Sequence, residues 1–347
     1  MVFRKAALLL GSAALLTLSC GEAQGPVPYG WVTKAEIPSW LGTTVNVEAV
    51  GPKGVYIVAR ANDLYRTRVV VYDGGGFQTE YDPPEPGTIL GALKFSGNTG
   101  FLTAIHTQSN GSWEATLLRY RAGVWEEVGA NAEWTSFNEV TPVADNACWL
   151  IGSNEKAPYN HLIKYADGGF TAASFTYSLE FVSYCPGLNA VFAFDTSEKG
   201  VVVGSSDGGA TWREEKIELP APYKINGLIE SVATTPDALY FSVNVAVEDL
   251  NYQAIIKRTG LPGEGVYELS YASWYGPGIM SLDAVSFRNA TSGVAIGNIG
   301  SIYYDGRDWI RELAPDGTAL DSANLTPDPR GGFWCTTYSG RYLVWHP

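Results

Sequence analysis

Four carboxylates, Glu48, Glu139, Glu230 and Asp283, are the residues of this chain with the widest choice of chemistry. Each lies near the start of a short apolar segment that reads as a strand. If those strands surround a common axis, the four line an acidic channel, where a pair could act as general acid and base or the ring could hold a hard cation such as Ca²⁺. At loop ends in solvent they do neither. A second set is aromatic: Tyr65, Trp113, Tyr159 and Tyr252 each stand six or seven residues before a glycine-bearing turn, and Trp274 and Tyr275 share a Gly/Pro-rich stretch. Tyr and Trp are efficient contact residues for a protein partner, and their rings also suit sugar stacking. The three histidines, His106, His161 and His346, are scattered without ligand spacing, so no zinc site is expected.

The elements that must position these residues are strands. Aromatic residues make up 13% of the chain and charged residues only 17%, glycine and proline are plentiful, and helical periodicity is absent beyond the N-terminus. That combination favours many short strands joined by tight turns. The turns repeat. Tyr72-Asp73-Gly74, Tyr120 to Trp125, Tyr165 to Phe170, Ser205 to Trp212, Arg258-Thr259-Gly260 and Tyr304-Asp305-Gly306 recur at about 46 residues, a period of four-stranded propeller blades, and the chain holds close to seven such periods. Tyr342 to Pro347 reads as a strand without its following turn, and Tyr29 to Val32 as a turn remnant and strand without a predecessor. Joined, they complete one blade and leave no free sheet edge. The expected fold is therefore all-β: a seven-bladed propeller of four-stranded antiparallel blades over residues 29–347, its ring closed by the N-terminal strand.

Ser205, Asp207, Gly209, Thr211 and Trp212 occupy the fixed positions of S-x-D-x-G-x-T-W, and here the chain resembles the Asp-box (BNR) propellers. The resemblance implies a structural role, with aspartate and hydroxyls bracing a peripheral hairpin. The segment 281–309 also resembles the photosystem assembly-factor type of blade. Among Asp-box enzymes, sialidases need a cluster of arginines that begins in an R-I-P triplet. Here Glu36-Ile37-Pro38 stands in its place with the opposite charge, which argues against that activity.

At the N-terminus Arg4 and Lys5 precede an apolar run over 6–18 and Ser19-Cys20, a secretory leader too short to span a bilayer stably. The stretch Leu16 to Cys20 resembles the bacterial lipobox. That resemblance implies removal of residues 1–19, acylation of Cys20, a lipidated tether over 20–28, and residence in the cell envelope as an outer-membrane lipoprotein. Multiple acyl chains anchor stably where one does not. Three cysteines remain, so at most one disulfide can form. Cys148 and Cys185, in neighbouring blades, are the pair expected if the thiols are not simply buried.

A formal charge of −13, more negative still without Arg4 and Lys5, opposes binding to nucleic acid or to bare anionic lipid. The functional expectation is a non-catalytic envelope scaffold or assembly factor with a protein partner. The alternative is a carbohydrate-binding or glycoside-hydrolysing propeller, and no cofactor is expected beyond the Ca²⁺ option.

Overall fold

Each repeat folds as a four-stranded antiparallel sheet whose strands become more polar from the second to the fourth. The computed structural model describes residues 30–42, 44–60, 67–85, 87–131, 133–154, 160–173, 175–176, 178–195, 200–274, 282–297, 300–312, 320, 325–337 and 339–347. Blades 1 to 6 take residues 44–81, 89–131, 136–173, 179–216, 224–274 and 284–312. Second strands such as β3 (Gly54–Arg60), β15 (Ala190–Asp195) and β23 (Ser292–Gly297) are buried almost end to end. A neighbouring sheet covers each of their faces, so the run need not alternate. Fourth strands such as β17 (Arg213–Lys216), with the sequence REEK, lie at the rim and face water.

The first strands form the inner wall. These are β2 (Thr44–Gly51), β6 (Ile89–Ser96), β10 (Ser136–Ala144), β14 (Leu179–Cys185), β18 (Lys224–Thr234), β22 (Ala284–Asn289) and β26 (Thr326–Pro327). Each lies against the next, and β26 lies against β2, so the ring is continuous around an axis. Seven separate apolar clusters fill the seven junctions between blades.

Each junction also holds a pair of aromatic rings. In ring order they are Tyr56/Phe95, Phe101/Tyr165, Trp149/Trp212, Phe194/Phe241, Tyr240/Phe287, Tyr303/His346 and Trp334/Tyr72, with centroids 3.7 to 6.2 Å apart. Five of these pairs are tilted or edge-on and two, Tyr240/Phe287 and Tyr303/His346, are stacked, and such contacts add specificity to what area burial already supplies. The junction of blades 4 and 5 adds a fully buried Arg258. Its guanidinium donates to Glu215 Oε1 at 2.5 Å and to the carbonyls of Gly260 and Leu261 at 2.9 and 3.0 Å, and it lies 4.3 Å from the Phe192 ring centroid. A charge held this way can be buried because its donors are matched by acceptors.

Blade 7 is composite, as the broken repeats at the two ends require. From the C-terminal side come β26, β27 (Phe333–Thr336) and β28 (Tyr342–His346), and the fourth strand is β1 (Val32–Glu36), antiparallel to β28 with Val32 opposite Trp345 and Glu36 opposite Tyr342. Trp31 precedes β1, is 2% exposed, and donates from Nε1 to Ser301 Oγ at 2.9 Å. Burying that indole contributes about 2 kcal/mol to holding the N-terminal strand in place.

The expected disulfide is absent. Cys148 and Cys185 are free, buried thiols. Cys148 belongs to the cluster between blades 2 and 3 and Cys185 to the one between blades 4 and 5, so the two face away from each other across the intervening junction. Burial pushes both thiols up, Cys185 to about 12, and the Cys185 thiol donates to the Ala238 carbonyl at 3.5 Å. Neither is a ready nucleophile.

Candidate functional site

The inner strands of blades 1 to 5 each carry a bulge. Register shifts at Glu48, across residues 91–92, at Asn138, at Glu180 and at Glu230. A bulge adds an unpaired residue and re-aims its side chain. Because three of these positions are glutamate, the innermost wall of the ring becomes acidic.

The carboxylates fall into two groups. Glu48 of blade 1 and Glu139 of blade 3 flank Lys94 of blade 2. Burial pushes the Glu48 carboxyl up to about 7, with Lys94 opposing the rise and Glu139 adding to it. Glu139 is likewise raised by burial against the attraction of Lys94 and a hydrogen bond from the Val140 backbone. Across the ring, Glu230 is raised by burial and then by the like charges of Asp283 and Glu180. The four carboxylates of the sequence analysis thus sit on the inner wall in two pairs, joined by Lys94 and Glu180. Among the described residues no three His, Cys, Asp or Glu side chains form a group that could hold a metal ion. A carboxyl raised toward neutrality, as burial raises Glu48, can give or take a proton there.

The two faces of the ring differ. Antiparallel order sends the hairpins between second and third strands, and the connections between blades, to one end of the ring. Trp113 begins β8 (Trp113–Arg121) after the hairpin 108–112 and is 57% exposed. Its hairpin is set by its own bonds: Gln108 N donates to Ser112 O and Gly111 N to Gln108 O, both at 2.8 Å, while Asn110 Oδ1 accepts from Ser112 N. Trp40, a residue that no sequence pattern singles out, is 47% exposed on the 3-10 turn Ser39–Leu41 between blades 7 and 1. Leu228 and Leu250 of blade 5 are exposed at the same end.

Tyr252 does not join them. Blade 5 has a two-residue turn, Glu248-Asp249, between long strands β19 (Ala238–Val247) and β20 (Leu250–Thr259), so Tyr252 is within a strand and not at a loop tip. It is buried in the cluster between blades 4 and 5, edge-on to Tyr223 at 6.2 Å. Cys20, Tyr65, Tyr159 and Tyr275 lie outside the described residues, as does the side chain of Trp274.

The opposite end carries the tight turns. In the 205–212 turn, Ser205 Oγ donates to Asp207 Oδ1 at 2.8 Å and accepts from Gly209 N at 2.9 Å, while Thr211 donates from N and Oγ1 to the two Asp207 oxygens at 2.9 and 2.5 Å. These bonds, Thr211 first, hold the Asp207 carboxyl far below the usual range. Trp212 then packs edge-on to Trp149 and Phe175, both at 5.4 Å, and Lys164 Nζ donates to Gly208 O at 2.9 Å, so the turn of blade 4 is fastened to blade 3. Gly209, with φ 93°, has no room for a side chain, because a Cβ would fall 2.5 Å from the Trp149 ring. Every group in this turn is used structurally.

Fold and faces together define a seven-bladed β-propeller. YCF48 from Cyanidioschyzon merolae is similar, with a TM-score of 0.58, 13% identity, and 91% of this chain and 98% of that chain covered. The Cps50 (Swd1) β-propeller domain of Myceliophteria thermophila is similar at a TM-score of 0.60 and 13% identity, covering 91% of this chain and 99% of that one. A chain in the crystal structure of the mitotic checkpoint complex aligns at a TM-score of 0.57 and 9% identity, over 100% of this chain and 99% of that one. No family model matches the sequence, and no curated protein matches it. Similarity at this identity is similarity of fold.

Proposed function

We propose that this propeller is a non-catalytic scaffold or assembly factor, of Asp-box type, which holds a protein partner on the face bearing the longer hairpins and the connections between blades. The observation that carries this reading is the exposure of Trp113, with Trp40 exposed on the same face. Indoles are costly to leave in water and are among the best contact residues when covered. The tight Asp207 turn at the other end is spent on fastening blades, and the large apolar side chains most exposed there, such as Val124 and Val266, are aliphatic. A similar fold is found in the mitotic checkpoint complex, a multi-component assembly, which supports a partner-holding role for the architecture. The basic, then apolar, then Ser19-Cys20 leader supports removal of residues 1–19 and attachment to the outer membrane through Cys20, with 20–28 as tether.

A photo-crosslinking residue placed at Trp113 in intact cells should capture a discrete protein, whereas one at Val266, exposed at the opposite end, should not. Capture at both positions alike, or of polysaccharide alone at Trp113, would remove this reading. A second reading, acid–base chemistry on a glycan in the channel, is favoured by Glu48, whose carboxyl burial pushes up to about 7 within the fields of Lys94 and Glu139. Glycan turnover that is lost in Glu48→Gln and in Glu139→Gln would install it in place of the first.

A further inference from the structure

The junction where blade 7 meets blade 1 carries a groove of about 450 Å³ on the tight-turn side, lined by aromatic rings and by two cations. Its floor is the hairpin between β26 and β27, closed by Asp328 N donating to Gly332 O at 2.9 Å and Gly331 N to Asp328 O at 3.0 Å. Within that turn both oxygens of the buried Asp328 are fully engaged. Oδ1 accepts from the backbone N and Nε of Arg330 at 2.9 and 3.0 Å, and Oδ2 accepts from Arg330 Nη2 and Trp334 Nε1 at 3.1 and 2.9 Å. Burial works against that carboxylate, yet the bonds from Arg330 and Trp334 hold it below the usual range. Asp328 therefore acts as a bracket that fixes the guanidinium, while Arg330 itself remains largely exposed with its Nη1 turned away from the bracket.

The second cation that lines the groove is Lys34 of β1. Its Nζ sits 4.4 Å from the Trp345 ring centroid. Trp345 closes over the hairpin, its Nε1 donating to Gly331 O at 3.3 Å. That approach depends on Gly332, φ 80°, where a Cβ would stand 2.6 Å from the indole nitrogen and 2.1 Å from the His346 carbonyl. Tyr72, the last residue of β4 (Thr67–Tyr72), forms the facing wall, with its hydroxyl only loosely bonded to the Lys34 and Gly74 carbonyls at 3.4 Å. Arg288 of blade 6 also reaches toward the backbone of Gly331.

On a chain with a formal charge of −13, this is a place where cations outnumber carboxylates. Flat rings flanking fixed donors suit a ligand with a ring of its own and one carboxylate, since Arg pairs with carboxylates through a planar fork and Lys through a point charge. The size is that of a small-ligand pocket. We propose that the groove binds a carboxylated sugar, a uronic acid unit, with its carboxylate held by Arg330 and Lys34, which line the groove together, and its ring against Tyr72. The site is separate from the long-hairpin face and does not depend on a protein partner there. It is assembled from the N-terminal strand, blade 1 and the C-terminal blade, so a bound ligand ties together the three pieces of chain that close the ring, and occupancy raises the melting temperature.

The test titrates the chain from Cys20 onward with galacturonate and glucuronate oligosaccharides, following heat release and thermal unfolding, beside neutral galactose oligosaccharides and a glutamate-rich peptide. Uronate should bind and raise the melting temperature, the neutral sugar should bind at least about tenfold more weakly, and Arg330→Gln and Lys34→Gln should each weaken uronate binding about tenfold or more. Lys34→Gln leaves the bonds of the Asp328 bracket in place, and an unchanged melting temperature of the ligand-free variant shows that its loss of binding does not come from a disturbed hairpin. No binding of uronate at millimolar concentration, equal affinity in both variants, or binding of the acidic peptide in preference to uronate would overturn the proposal.

Discussion

His346 Nε2 lies 2.6 Å from Glu312 Oε2 inside the junction of blades 6 and 7, one residue before the end of the chain. Trp31 meets the same imidazole edge-on at 5.3 Å, and Gly30 passes so near the carboxylate that a Cβ there would fall 2.1 Å from Oε2. The last strand of blade 6, the C-terminal strand and the segment leading into β1 are therefore locked at one point, which is where the ring is held by contacts alone.

Removing either side of that lock should loosen the closure specifically. Glu312→Ala is expected to cost about 2 kcal/mol, the penalty for a buried hydrogen-bonding partner left unmatched, and Gly30→Val should displace the same carboxylate. Urea unfolding measures the first, and hydrogen exchange of β1 should show that strand opening ahead of blades 2 to 5. A midpoint unchanged in Glu312→Ala would mean that the pair adds nothing to closure.

Glu48 gives the protein a pH dependence of predictable sign. Its carboxyl, raised to about 7 in the folded ring, binds its proton more tightly folded than unfolded. The stability it contributes is fully present below its unfolded value of about 4.3, and is lost as pH rises through about 7. Glu48→Gln should therefore match the wild type near pH 4 and exceed it at about pH 8, by up to about 3 kcal/mol, less where channel water screens the charge. Unfolding midpoints of both proteins across that range, with an NMR titration of the carboxyl, check the sign. A Glu48→Gln variant less stable than wild type at the alkaline end would contradict it.

Cys148 and Cys185 should behave as core residues. Reductant should leave the melting temperature unchanged, and a thiol reagent should label both only after denaturant opens the blades. Labelling of the native protein within minutes would show a junction looser than the one described.

The architecture was legible because its signals are local. Tyr72-Asp73-Gly74, Tyr304-Asp305-Gly306 and the 205–212 turn each announce a hairpin through residues a few positions apart, and their spacing counts the blades. The split seventh blade followed from the same spacing, since Tyr342 to Pro347 and Tyr29 to Val32 are each half of a unit. What the sequence did not reveal depends on register across blades. Lys94 and Glu180 stand by the predicted carboxylates only because bulges in neighbouring inner strands bring them to the same wall, and no pattern within one blade states that. Tyr252 shares the spacing of Trp113 to the next turn but is buried, because strands β19 and β20 are long and the turn between them has two residues. Trp40 lies in Pro38-Ser39-Trp40-Leu41-Gly42, where its neighbour Leu41 is the buried residue of the pair, a distinction that spacing alone does not make. The Cys148 and Cys185 pairing failed for a related reason: neighbouring blades are adjacent, but a side chain can point into either of two junctions.

The most direct test of the account is a double replacement on the long-hairpin face. Trp40→Ser combined with Trp113→Ser should lower the melting temperature by no more than about 4 °C, because about half of each side chain is already exposed and partly exposed substitutions change stability modestly. The same protein should lose the partner that the wild type retains when it is isolated from cells after crosslinking, while Val266→Ser, at the other end of the ring, should keep it. Retention of the partner by the stable double variant would contradict the assignment of that face as the binding surface.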